Sequence, residues 1–106
     1  MDFRNDTAGG RYVLEEEGPD GTHVVAFTEY REAHGRLLFP HTEVDPAHEG
    51  QGLAGRVVKG ALDDVRTQGR KIVPLCPYVR RYVERRPEYS DLVDHELLAD
   101  YLKQQD

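Results

Sequence analysis

The sequence has no tryptophan, one methionine and one cysteine, Cys76. A single thiol cannot close an internal disulfide, so packing alone has to hold the fold, and a reducing, cytoplasmic location is expected. No apolar run approaches the roughly 20 residues of a membrane span, and MDFRNDTAGG lacks the basic start and apolar centre of a secretory signal. Positive charge is also in deficit: 14 Lys and Arg stand against 20 Asp and Glu, a net charge of −6. That balance argues against a nucleic-acid binder, the arginines from Arg80 to Arg86 notwithstanding. The histidines at 23, 34, 41, 48 and 95 show no metal-ligand spacing, so no metal site is expected.

What remains is a chain of 106 residues, 38% hydrophobic and 32% charged, which suits one globular domain with residues 1–10 as a candidate flexible N-terminal segment. Between Gly50 and Ser90 nine Lys or Arg face four acids, so this segment is +5 and the rest of the chain −11. A basic segment suits a small polyanion, and the acidic remainder suits a cationic partner.

RYVLEEE (11–17) and HVVAFTEYRE (23–32) are rich in β-branched and aromatic residues, and GPDG between them predicts a hairpin. LLFPHTEV (37–44) reads as a third strand whose alternation puts Leu37, Phe39, His41 and Glu43 on one face and Leu38, Thr42 and Val44 on the other. Leu53, Val57, Val58, Ala61, Leu62 and Val65 then recur at helical spacing, with Gly69 placed to end the helix. KIVPLC (71–76) is a short apolar strand, so residues 37–76 form a strand, helix, strand unit with parallel strands. Pro77 opens a helix to about Arg86, with Tyr78, Val79, Tyr82 and Val83 as its apolar side, and residues 90–106 read as a terminal helix. Pro40 and Pro74 each remove a ladder donor, so pairing between the parallel strands should fail near both and leave a cleft lined by unpaired backbone.

Gly50, Gly52 and Gly55 crowd the point where the helix begins, although glycine there costs backbone entropy. Such a turn can present successive N–H groups, backed by the positive end of the helix, to a phosphate. HTEV…GQGLAG…VPLCPYV…RPEY resembles the GNAT acetyltransferase superfamily, and within it a minimal family of small N-acetyltransferases, over residues 11–92. Gly52 and Ala54 match the last two positions of the superfamily's Gln/Arg-x-x-Gly-x-Gly/Ala pattern, whereas Glu49 departs from its first. The resemblance implies a GNAT-like α/β fold, an antiparallel sheet extended by the parallel unit with C-terminal helices, and acetyl-CoA as the small-molecule acyl donor. Its diphosphate would lie on Gln51, Gly52, Leu53, Ala54, Gly55 and Arg56, and its pantetheine along Glu43 and Val44. Cys76 and Tyr82 would line the rest, and Arg56, Arg80 or Arg81 would meet the remaining phosphate.

Acetyl transfer to an amine requires a neutral nucleophile, a stabilised oxyanion and a proton for the leaving thiolate. An alkylamine, with a solution pKa of about 10.4, needs a base at neutral pH. His41 titrates in the useful range and shares a face with Glu43; two residues along a strand are about 7 Å apart, so a bridging water is expected between them. Cys76, just before a helix N-terminus where a thiolate is favoured, is a candidate nucleophile or lining residue. Val83 occupies the place of the superfamily's thiolate-protonating tyrosine, leaving Tyr78 and Tyr82 as candidate acids. The acceptor is expected to be an amine, possibly cationic by charge, such as a lysine side chain or polyamine. The departures at Glu49 and Val83 keep open a rival reading, a non-catalytic acyl-CoA-binding module.

Overall fold

The computed structural model describes residues 1–104. Its five strands, β1 (Asp2–Asp6), β2 (Arg11–Gly18), β3 (Gly21–Ala33), β4 (Arg36–Val44) and β5 (Ile72–Val73), form one sheet in sequence order. The first four are antiparallel, and β5 runs parallel to β4 through Leu37 opposite Ile72 and Leu38 opposite Val73. Helix α1 (Leu53–Thr67) makes the crossover from β4 to β5, followed by α2 (Pro77–Glu84), a 3-10 turn (Pro87–Leu92) and α3 (His95–Lys103). This is the α/β arrangement expected, an antiparallel sheet continued by a parallel pair.

The apolar stripe of α1 reads directly from its spacing: Leu53, Val57, Val58, Ala61, Leu62 and Val65 are all buried, and each larger aliphatic contributes about 1.5–3 kcal/mol by leaving water. Gly69 ends the helix in the left-handed conformation, φ 67°. The stripe packs against Tyr12, Leu14, Leu37, Phe39 and Ile72 of the sheet and Val79, Tyr82 and Val83 of α2.

Three expectations require correction. Residues 2–6 are not a flexible lead-in: they pair with β2, and the Phe3 ring stacks on Tyr12 at 5.6 Å and lies over Gly60 of α1. A Cβ on Gly60 would stand 2.5 Å from the Phe3 ring, so this mid-helix glycine, unfavourable by propensity, is the seat of β1. The terminal helix starts at His95 rather than residue 90, because Asp94 caps it through Leu97 N–H (2.9 Å) while accepting from Arg36 (2.9 Å). These bonds hold the Asp94 carboxyl below its usual range, the Leu97 N–H first. Residues 105 and 106 of that expected helix lie outside the described residues.

The third correction bears on function. The alternation of β4 does not run through: Phe39 faces the core beside Tyr12 and Tyr30, but from Thr42 onward the even residues take over the core face. Thr42 bonds the buried Thr28, and Val44 packs on the hydrophobic core. The β3–β4 register slips between Glu29 and Arg31, opposite Pro40, which has no N–H to keep the ladder regular. His41 and Glu43 therefore point outward while Phe39 points in.

Candidate functional site

The turn before α1 is pinned by two contacts. Asp45 accepts from Ala47 N–H (3.1 Å) to close a 3-10 turn over Pro46–His48, and His48 Nε2 lies 2.6 Å from Glu16 on β2. Gly50 and Gly52 then adopt φ of 84° and 72°, the region that L side chains avoid. Gly52 is the N-cap and supplies no side-chain acceptor. The first helical bond runs from Arg56 N–H to Gly52 C=O (3.2 Å), so Leu53, Ala54 and Gly55 keep their N–H groups without intrahelical partners. A Cβ on Gly50 or Gly52 would meet nothing within 4 Å, so the fold's own packing does not demand glycine there; the backbone angle does, and the space above stays open. Gly55 has another cause, since its Cβ would stand 3.4 Å from the Tyr78 hydroxyl of α2.

A cleft of about 470 Å³ opens over this turn, with Gly50, Gly52 and Ala54 on one side and Thr42, Glu43 and Val44 on the other. The ladder shows what β4 offers. Asp45 N–H bonds Val25 C=O at 2.8 Å, and the register from Ala26–Val44 to Glu29–His41 is regular. Hydrogen-bonded pairs alternate in an antiparallel ladder, so Glu43 and His41 turn their backbone groups to β3 and Thr42 and Val44 turn theirs away from it. On that side β5 has ended: Leu75 N–H folds back on Val73 C=O (3.0 Å), and the last bridge is Cys76 N–H to Phe39 C=O (2.7 Å). The failed pairing expected near Pro40 and Pro74 is present, and the backbone it leaves free borders the cleft.

The remaining candidates divide between the two faces of β4. On the outer face His41 Nε2 meets Glu43 Oε2 directly at 3.0 Å, where a bridging water was expected; the two side chains lean together beyond their 7 Å strand spacing. An ionised carboxylate only accepts, so Nε2 carries the proton and a neutral His41 keeps its Nδ1 lone pair free. Phe27 flanks the ring at 6.0 Å between centroids. On the core face Cys76, 5% exposed, directs its thiol at Thr42 Oγ1 (3.6 Å), which in turn meets Thr28 Oγ1 (2.9 Å). His41 and Cys76 thus stand on opposite sides of the strand.

Tyr78 is exposed rather than part of the apolar side of α2, and its hydroxyl borders the first turn of α1. Tyr82 is buried, and burial raises its pKa against the opposing pull of Arg86 and Lys59, so its hydroxyl is neutral. Val83 packs into the core. Leu53 is also a core residue and offers the cleft only its backbone, whereas Gln51 and Arg56 are exposed. Arg80 is engaged elsewhere, on Pro74 C=O (3.3 Å) and Leu75 C=O (2.7 Å), where it holds the strand exit.

Two contributors escaped the sequence reading. Thr42 is the thiol's partner, and facing threonines at inward strand positions were the available signal. His48 lines the cleft with a buried Nδ1 that has no hydrogen-bond partner; Asp45 Oδ2 comes within 3.5 Å without the alignment of a bond. Among the described residues no group of His, Cys, Asp or Glu could hold a metal ion, and no helix is long and apolar enough to cross a membrane.

A family model described as GCN5-related N-acetyl-transferase matches residues 11–92. Protein NATD1 of human is 35% identical over 69 residues, 64% of this chain and 61% of that protein, and Protein NATD1 of mouse is 35% identical over the same length, 63% of it. The chain therefore spans less than two thirds of these relatives. The solution structure of a GCN5-like protein from Staphylococcus aureus superposes with a TM-score of 0.66 at 18% identity, over 88% of this chain and 87% of that one, which shows a shared fold. With a family match across most of its length and the sheet and crossover helix to go with it, the chain belongs to the GCN5-related N-acetyltransferase family.

Proposed function

We propose that the protein transfers an acetyl group from acetyl-CoA to an amine. One observation carries this reading: the unpartnered N–H groups of the Gly52–Gly55 turn face, across a single cleft, the unpaired backbone of Thr42 and Val44. The turn suits a diphosphate and the strand edge suits the amides of an extended pantetheine, so the residues present fit the donor. Bound there, acetyl-CoA supplies the activated thioester carbonyl. Its thiol end would reach the Cys76–Thr42 pair, beyond which β4 and β5 close. An acceptor amine would approach His41 from the outer side of β4, where its side chain is exposed. His41 Nδ1 accepts the amine proton, and Glu43, already bonded to Nε2, stabilises the imidazolium that results.

In this arrangement Cys76 lines the site, because its thiol points at Thr42 and His41 lies across the strand. The Tyr78 hydroxyl, set against α1, serves the diphosphate end. Glu43 beside His41 and Glu29 opposite it on β3 favour a cationic acceptor, a lysine side chain or polyamine. Incubation with labelled acetyl-CoA and a panel of amines tests the proposal: acceptor-dependent release of CoA is expected. Val83, an apolar residue at the usual place of a proton-donating tyrosine, favours a second reading, a non-catalytic acyl-CoA-binding module. Tight binding with no turnover on any amine would select that reading.

A further inference from the structure

A second cavity, of about 260 Å³, opens beside the end of β4 and shares Glu43, Val44 and Pro46 with the cleft over the glycine turn. Its wall is largely apolar, with Val24 and Phe27 of β3, and Arg11 is the only Lys or Arg that lines either cavity. Directly opposite residues of an antiparallel ladder share a face, so Arg11, Glu29 and His41 form one outer row and Phe27 and Glu43 the next. Arg11 is held at two points. Its Nε donates to Asp6 Oδ2 (3.3 Å), and the guanidinium carbon lies 5.0 Å from the centroid of the Phe27 ring. The same ring flanks His41, at 6.0 Å between centroids. Neither contact occupies the two terminal amino groups of the guanidinium, which have no hydrogen-bond partner among the described residues.

A base and a fixed cation thus stand against one phenyl ring, in a cavity that adjoins the cleft. A small molecule lying along Phe27 with its amine at His41 presents its other end to Arg11. We propose that the acceptor is an amino acid, an amine that carries its own carboxylate, with the carboxylate held by Arg11 and the hydrocarbon portion set against Phe27 and Val24. The inference rests on the acetyl-transfer reading with His41 as base, and it narrows the cationic acceptor of that reading to a zwitterion. The charges of the cavity suit such a molecule. Its two acids are already engaged, Glu43 by His41 and Asp45 by Ala47 N–H, and with Glu29 they draw the ammonium end. The carboxylate end has Arg11, whose planar fork gives paired, charge-assisted hydrogen bonds. In the transfer the C–N bond forms as the C–S bond breaks, the amine proton passes to His41 Nδ1, CoA leaves as its thiolate, and the carboxylate is unchanged.

The test measures kcat/KM with acetyl-CoA for the common amino acids and their decarboxylated counterparts, such as lysine with cadaverine and leucine with isoamylamine. The same pairs are run on Arg11→Gln after its melting temperature is checked. A single charge-assisted bond to the carboxylate corresponds to a preference of about tenfold or more. The best acceptor of the wild type is expected to carry a carboxylate and to exceed its decarboxylated counterpart by that factor, and in Arg11→Gln the ratio should fall toward unity. Amines without a carboxylate that serve equally well or better would overturn the inference and leave acetyl transfer standing. A preference that survives the substitution would come from the basicity of the amine and would overturn it as well. If no amine releases CoA, the inference and the transfer reading fall together.

Discussion

Gly52→Ala and Gly52→Asn form a pair that separates the two reasons a glycine can be required. At φ 72° and ψ 21° Gly52 is left-handed, a conformation that costs an alanine about 1–2 kcal/mol. For a domain near this size each kcal/mol lowers the melting temperature by about 4–8 °C. Asparagine tolerates the same angles far better, so its melting temperature should fall less. Both residues nevertheless carry a Cβ into the same space, which is empty of protein atoms within 4 Å. If a diphosphate approaches the backbone there, both variants lose at least one charge-assisted N–H contact, worth about 1.5–3 kcal/mol or roughly 10- to 150-fold in affinity. Thermal unfolding and calorimetry with CoA measure the two effects separately. The expected pattern is unequal melting temperatures with similarly weakened CoA binding. Affinity that follows melting temperature, or wild-type affinity in both variants, would show that Gly52 serves the turn alone.

Other perturbations address the remaining parts of the site and fold. Gly60→Ala should be coupled to Phe3→Ala by about 1 kcal/mol or more in a denaturant double-mutant cycle, destabilising against the intact ring and stabilising once it is gone; additive effects would mean that Phe3 does not dock on α1. His41→Gln should slow acetyl transfer by about 10²-fold or more and flatten the pH–rate profile on its acid side, and an unchanged profile would remove His41 as the base. Cys76→Ala should keep CoA affinity and retain turnover within about tenfold, since the thiol touches Thr42 and no base; abolished turnover with intact binding would make Cys76 the nucleophile.

Where a segment's pattern answers to one partner surface, the sequence showed it. The α1 stripe is such a case: six apolar residues at helical spacing meet one sheet face, and every one of them is buried. The glycine turn and the break in pairing were legible for a related reason, because proline and glycine act on the local backbone whatever surrounds them. Long-range partners were not legible. DFRND has neither apolar periodicity nor turn chemistry to mark a strand, and its anchor, Gly60, lies far along the chain in another element. The same limit explains the faces of β4: period two predicts His41 beside Phe39, but the register slip opposite Pro40 is a property of the β3–β4 pair and moves His41 to the other side. That one slip divides the site into a donor side, with Thr42 and Cys76, and an outer side, with His41 and Glu43.

Backbone amide shifts provide the most direct measurement of the central claim, because the proposed contacts to the donor are largely main-chain. Titrating CoA into ¹⁵N-labelled protein should move the amides of Gly52, Leu53, Ala54 and Gly55 together with those of Thr42 and Val44, while β1 and α3 stay still. Shifts confined to other surfaces, or none at saturating CoA, would contradict it.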